Sequence, residues 1–286
     1  MSAGSVTEQV TSVSGELHYL APSSTVLRRF TAPGASINTG AYEPHVVPIR
    51  NGRPVQDTFR MDVHGFELVR YPSAVRDFTD KAQVDAIYTE EVAEFVKQRT
   101  GADAVASRGW VLRRSADPGA NSSQPQAALV HIDYGPEGAA MTAPRVYAEQ
   151  FPDGPGYRRA LATSVWRVFS PPPQDWPLAL CDFRSVRDEE GLANQLYFVD
   201  RVPEDPMTAE VDESKMITSG SEFLYRPEHE WWYFPHMTSD EVLFFVFNDS
   251  DHGRAWRVVH TAFRDPTVET SVPRHSIEVR TFAFFH

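Results

Sequence analysis

From about residue 103 to the C-terminal end, the chain is a series of short runs in which apolar and polar residues alternate or apolar residues dominate. The runs fall at 104–113, 128–134, 161–169, 178–182, 195–200, 221–226, 231–234, 242–247, 256–263 and 276–285. Alternation with a period of two is the mark of a half-buried strand. Turn-forming stretches separate the runs: Asp117-Pro118-Gly119, Asp153-Gly154-Pro155-Gly156, Pro171-Pro172-Pro173 and Asn248-Asp249. A further strand is expected from Asp62 to Val69, where Asp62-x-His64 reads as part of a turn. One segment carries helical spacing instead. Val84, Ile87, Tyr88, Val92, Phe95 and Val96 form a stripe, Asp80 stands ready to cap it and Gly101 to end it. A short helix is expected at Pro144 to Gln150. Residues 1–60 scatter Pro, Gly and Asn among short extended pieces such as Glu16 to Leu20, which predicts an irregular wrap. Many short strands with few helices point to a mainly β sandwich or barrel. With no repeat and no low-complexity linker, a single domain over 1–286 is expected, its core at 103–286.

Composition narrows the function classes. With 41% hydrophobic residues, including 18 Phe and 6 Trp, the chain can bury a large core. A net charge of −12 disfavours nucleic acid and anionic membrane as partners. The acidic stretch Glu204 to Glu213 reads as a solvated loop. The single cysteine, Cys181, sits in the apolar run Pro177-Leu178-Ala179-Leu180-Cys181. It predicts a buried thiol rather than a nucleophile, and a reducing, cytoplasmic setting. Met1 to Glu16 has neither a basic nor an apolar leader segment, and no apolar run reaches membrane-spanning length. Asn121-Ser122-Ser123 and Asn248-Asp249-Ser250 match the glycosylation pattern but read as turns.

The candidate chemistry begins in Leu129-Val130-His131-Ile132-Asp133-Tyr134, closed by Gly135-Pro136. On a strand, His131 and Asp133 project to one face. They supply two corners of the 2-His-1-carboxylate arrangement that holds non-haem Fe(II). With 10 His and 39 acidic residues, about one His-x-Asp/Glu is expected by chance, so the pair alone is equally a hydrogen-bonded pair at a strand end. The C-terminal end strengthens it. Trp256 to Phe263 is a strand that carries His260, and Arg274-x-Ser276 follows fourteen residues later. An oxygenase using 2-oxoglutarate needs a grip for the co-substrate's far carboxylate, and the planar, always-charged fork of arginine suits it. Two hairpin-linked strands would bring His260 and Arg274 to one end of a barrel. Arg280 has the same strand parity as Arg274 and is the alternative anchor.

These segments resemble the family of gibberellin desaturase-like proteins, the cephem 7α-methoxylase component and the fungal hydroxylase/desaturase proteins of secondary-metabolite clusters. The resemblance covers most of the chain. It rests on Phe66-Glu67-Leu68-Val69, Ala74-Val75-Arg76-Asp77-Phe78, His131-Ile132-Asp133-Tyr134, Val165-Trp166-Arg167, Asp175-Trp176-Pro177-Leu178-Ala179-Leu180-Cys181-Asp182, Trp232-Tyr233-Phe234-Pro235, Asp240-Glu241, His260-Thr261-Ala262-Phe263 and Pro273-Arg274-His275-Ser276-Ile277-Glu278-Val279-Arg280. The chain departs from the family pattern at Val168-Phe169, His236 and His275, where Pro-Ile, Arg and Glu are usual. The resemblance implies a double-stranded β-helix, or jelly roll, with flanking helices. It implies Fe(II) on His131, Asp133 and His260, with 2-oxoglutarate held by Arg274 and Ser276 and O2 as the second co-substrate. The implied reaction oxidises an apolar natural-product scaffold by hydroxylation, desaturation, cyclisation or endoperoxide formation, with release of succinate and CO2.

Other features carry weaker readings. Trp166 and Arg167 line the pocket or form a buried Trp and a structural ion pair. Trp231-Trp232-Tyr233-Phe234 is a core strand or a ligand-stacking wall. His229-Glu230 lacks the second His of a zinc protease helix and is expected at the surface. Trp-rich strands outside the site would supply a homodimer face. Two other functions compete: an iron-dependent oxidase without 2-oxoglutarate, and a non-catalytic jelly-roll binding protein.

Overall fold

The computed structural model describes residues 11–114 and 124–286. The turn expected at Asp117-Pro118-Gly119 and the Asn121-Ser122-Ser123 site lie outside the described residues, as do residues 1–10.

Far from being irregular, the N-terminal segment is a series of strands: β1 (Ser12–Leu20), β2 (Arg28–Ala32), β3 (Ala35–Asn38) and β4 (Tyr42–Asn51). Their apolar residues alternate over only a few positions each, as in Gly15, Leu17 and Tyr19, all three on one face. Pro and Gly between them punctuate the hairpins. After β5 (Phe66–Arg70) comes helix α1, an α-turn Lys81–Gln83, a π-turn Val84–Tyr88 and an α-helix Thr89–Thr100. The Asp80 carboxylate accepts from the amides of Ala82 and Gln83, and Gly101 ends the helix in the left-handed region at φ 69°.

The remaining strands are β6 (Ala104–Arg114), β7 (His131–Ile132), β8 (Arg159–Val168), β9 (Leu178–Cys181), β10 (Gly191–Phe198), β11 (Met216–Phe223), β12 (Trp231–Tyr233), β13 (Glu241–Asp249), β14 (His260–Ala262) and β15 (His275–Phe285). Most match the expected runs. The runs at 128–134 and 256–263 pair over only two and three residues. The helix expected at Pro144–Gln150 is α2, Pro136–Gln150. The Gly135-Pro136 signal that reads as a strand-ending turn also starts this helix, because proline fits the first helical position, where no amide donor is needed.

The strands build two facing sheets. The larger has the order β1-β4-β12-β9-β14-β7-β11-β10-β2-β3, the smaller β5-β13-β8-β15-β6. Together they form a mainly β jelly roll. The central strands of the smaller sheet, β13, β8 and β15, are buried on both faces, so β13 reads as nearly continuous apolar sequence. Phe244 packs on Phe95 of α1, with ring centroids 5.3 Å apart, while Phe245 and Phe247 face the other sheet. Each such buried Phe contributes about 1.5–3 kcal/mol. The bridges His18–Leu129 and Leu20–Leu224 bring β1 back toward β7 and β11. The larger sheet thereby curls around a second core of Leu17, Tyr19, Ile49, Val130, Cys181 and Trp231. Cys181 is buried there, as expected.

His229 is a correction. It is buried rather than exposed, with Nδ1 at 3.1 Å from the Tyr19 hydroxyl and Nε2 at 2.9 Å from Glu190. Tyr19 lies 210 residues away in sequence, so no local signal shows this partner. Burial against Glu190's pull holds the imidazole below its ordinary pKa. Glu230, its neighbour, stays part-exposed on Arg50.

Two glycines let the site's supports close up. A Cβ on Gly138 in α2 would overlap the Ser219 backbone, and one on Gly220 would stand 2.7 Å from the Ile132 carbonyl. Gly138→Ala should therefore push α2 off β11 and destabilise the protein by about 1–3 kcal/mol. A urea-denaturation midpoint measures this, and an unchanged midpoint would mean that the contact has slack.

Candidate metal centre

Strand β7 lies between β11 and β14, and its register sets His131 directly opposite His260. The two rings are 4.5 Å apart between centroids. Asp133 stands just beyond β7. One ligand atom from each of His131, Asp133 and His260 lies within 4.8 Å of the others. His131 Nε2 is 3.4 Å from Asp133 Oδ1. The three residues drawn from distant parts of the sequence do converge.

Backbone carbonyls orient both imidazoles. His131 Nδ1 is 2.6 Å from the Leu129 carbonyl, and His260 Nδ1 is 3.1 Å from that of Val258. In each case the carbonyl two residues earlier accepts the Nδ1 proton, which leaves Nε2 as the free lone pair. Neutral imidazole is the form that binds metal. Burial, reinforced by the neighbouring His131, pushes the His260 pKa down to about 3. Burial alone would raise the Asp133 carboxyl, but the Arg280 guanidinium beside it outweighs burial and holds the group well below the carboxylate range. The donor set is thus two imidazole nitrogens and one anionic oxygen on one side of a small space, which fits Fe(II).

One cavity is lined by all three of these residues together with Trp166, Arg274, Glu278 and Arg113. His260 and Arg274 do not sit on a hairpin, as spacing suggested. They belong to opposite sheets, and the turn after Asp265-Pro266 carries the chain across. Arg274 is 1% exposed, and its Nη1 donates to the Trp176 carbonyl at 2.6 Å. Its guanidinium lies 5.2 Å from the centre of the Trp166 ring. Among the described residues its Nε has no partner, and the acidic charges that act on it, Asp175 and Glu278, offset only part of the cost of its burial. Burial, with Arg113 adding repulsion, pulls its pKa down to about 9. Ser276 is also buried, two residues along β15, and its Oγ has no partner. A desolvated cation and an unsatisfied hydroxyl on one strand face fit an anionic oxygen ligand.

Arg280 stands elsewhere, 2.7 Å from Asp133 Oδ2 and 3.4 Å from Glu278 Oε2. Trp166 lines the cavity, whereas Arg167 points away and donates to the Tyr88 hydroxyl and to the carbonyls of Tyr71 and Ser239. It has no acidic partner among those bonds. Trp231, Tyr233 and Phe234 are core. Glu278 and Arg113 were not foreseen. Glu278 shares the parity of Arg274, Ser276 and Arg280, a polar row in an otherwise apolar strand. Arg113 pairs across from Ser276 in β6 and has no such signal. Two of the departures from the family pattern are one local change: Phe169 and His275 touch, with ring centroids 5.7 Å apart.

A family model described as Oxidoreductase/YMDC permease-like domain matches residues 17–284. Among the described residues no helix is long and apolar enough to cross a membrane. The hydroxylase/desaturase CTB9 of Cercospora beticola is 32% identical over 85% of this chain and 78% of its own length. The alpha-ketoglutarate-dependent dioxygenase phiK of Fungal sp. (strain ATCC 74256) is 30% identical over 79% and 80%. The solved iron and alpha-ketoglutarate-dependent endoperoxidase NvfI superposes with a TM-score of 0.77 at 26% identity, covering 96% of this chain and 98% of that one.

If the triad holds the metal, Co(II) at a hundred times its dissociation constant should stabilise the wild-type protein by about 2.7 kcal/mol. His131→Ala and His260→Ala should keep their apo melting temperature and lose that gain. A thermal-shift titration reads both, and a retained gain removes the residue from the ligand set.

Proposed function

The chain belongs to the fungal Fe(II)/2-oxoglutarate-dependent dioxygenase and hydroxylase/desaturase family, and from that premise we propose that His131, Asp133 and His260 hold its iron while Arg274 and Ser276 hold 2-oxoglutarate. The observation that carries this reading is Arg274 itself. It is buried, its Nε has no partner among the described residues, and it opens on the same cavity as the triad. With iron, 2-oxoglutarate and O2 bound, the centre supplies an oxidant able to take hydrogen from an unactivated C–H bond, and succinate and CO2 leave.

The chain's own side chains prepare that event. Arg274 pairs with the far carboxylate through two parallel N–H donors, and the Ser276 hydroxyl adds a third. The Trp166 ring covers one side of the guanidinium and keeps water from it. Three protein ligands would hold the metal and would leave it room for the two co-substrates. Phe245, Leu178 and Ala262 give the cavity an apolar wall. That wall suits a small, largely apolar substrate, and likeness to a hydroxylase/desaturase and an endoperoxidase suits a natural-product scaffold. A single oxygenase domain in the cytoplasm agrees with one buried, unpaired cysteine.

Iron-loaded protein should consume O2 and 2-oxoglutarate and release succinate in equal amounts. Incubation with candidate fungal metabolites, read by mass spectrometry, identifies the substrate by its change of mass. Arg274→Ala should remove about 3 kcal/mol of charge-assisted hydrogen bonding, raising the half-saturating 2-oxoglutarate concentration roughly 100-fold. An unchanged requirement would leave the co-substrate grip to another residue.

A further inference from the structure

Asp133 raises a question that its two histidine partners do not. The histidines lie in paired strands and are pinned by carbonyls. Asp133 lies one residue past the end of β7, where no ladder fixes its backbone. Its orientation comes from the opposite sheet. Oδ2 is 2.7 Å from Arg280 Nη2, and the same nitrogen is 3.4 Å from Glu278 Oε2. Glu278 is in turn fixed by the Ser164 hydroxyl at 2.8 Å. Ser164, Glu278 and Arg280 all belong to the smaller sheet, so the chain of contacts spans the gap between sheets and ends on the carboxylate.

We propose that Arg280 is the positioning residue of the metal centre: by taking Asp133 Oδ2 it leaves only Oδ1, the oxygen beside His131 Nε2, to face the metal. A free carboxylate can chelate through both oxygens and so use up a coordination position that the co-substrates need. A carboxylate with one oxygen drawn toward an arginine in the facing sheet is biased to bind through the other. Arg280 is already shared between two carboxylates, whereas the Arg274 Nε is without a partner among the described residues, and this divides the two arginines between different tasks. The inference rests on the iron reading above and adds to it a residue that touches neither iron nor co-substrate.

The test compares wild-type protein with Arg280→Gln and Arg280→Lys. Co(II) affinity is measured by competition with a chelator, the visible Co(II) spectrum is recorded, and 2-oxoglutarate binding is measured on the cobalt-loaded forms. Loss of an outer partner of a metal ligand should weaken Co(II) in Arg280→Gln by about 10–100-fold and alter its spectrum. Arg280→Lys, which keeps the charge without the fork, should fall between Arg280→Gln and wild type. Oxoglutarate affinity should hold once cobalt is bound. Wild-type affinity and spectrum in Arg280→Gln would overturn the proposal. So would an isolated loss of oxoglutarate binding, which would return Arg280 to gripping the co-substrate. Circular dichroism checks folding, and if Arg280→Gln does not fold, a folded Arg280→Lys with unchanged affinity and spectrum overturns the proposal by itself. Wild-type protein that takes up no cobalt would instead sink the iron reading.

Discussion

The site depends first on two hydrogen bonds from imidazole to backbone. The carbonyls of Leu129 and Val258 each accept the Nδ1 proton of the histidine two residues on. An imidazole has two chemically different nitrogens, and a ring free to flip would offer either one. Here a flip would break the bond to the carbonyl, and at the buried Val258 carbonyl that costs about 1–3 kcal/mol. The strand backbone therefore selects the tautomer before any metal arrives. The pairing of His131 opposite His260 then sets the distance between the two lone pairs. Geometry built into a sheet is harder to lose than geometry built on a loop.

The two sheets contribute chemistry of different sign. The larger brings neutral nitrogens and, at the end of β7, one carboxylate. The smaller brings Arg113, Arg274, Glu278 and Arg280. Counting these side chains, three arginines face two carboxylates, an excess of one positive charge in a poorly solvated space. A divalent metal alone would deepen that excess. A dianionic co-substrate would reverse the change, so the binding of the two is coupled electrostatically, and the coupling is strong because the surroundings screen little. Arg274, pulled down to a pKa of about 9 by burial and by Arg113, is where that need for an anion is concentrated.

Much of this was legible in the sequence. The strands of the smaller sheet follow from their apolar runs, and helix α1 from its stripe and its Asp80 and Gly101 ends. The metal candidates followed from spacing and resemblance. What could not be read has a physical reason in each case. The strands β1 to β4 are interrupted by proline and glycine and draw their stability from a sheet edge supplied by residues far along the chain, so local pattern undersold them. His229 looks like a surface residue beside Glu230, yet its partner Tyr19 lies at the other end of the sequence. Spacing placed His260 and Arg274 near one another without saying that they sit on opposite sheets. The parity that kept Arg280 as the alternative to Arg274 tells nothing of their surroundings, and it is Arg280 that lies against Asp133.

The length of each strand follows its task. β13 and β15 run for nine and eleven residues, nearly all buried, and hold the layers together. β7 and β14 pair over two and three. A long ladder fixes every side chain by register and parity, which suits packing, but it directs neighbouring residues to opposite faces. A metal centre needs ligands converging from several directions. Two short strands set side by side give the opposed histidines, and the immediate end of β7 frees Asp133 to turn toward Arg280. Had the pairing of β7 continued through residue 133, the carboxylate would have been fixed by its own strand. Its direction is instead decided across the gap, by a side chain of the facing sheet, and the separation of the two sheets becomes a determinant of the ligand geometry.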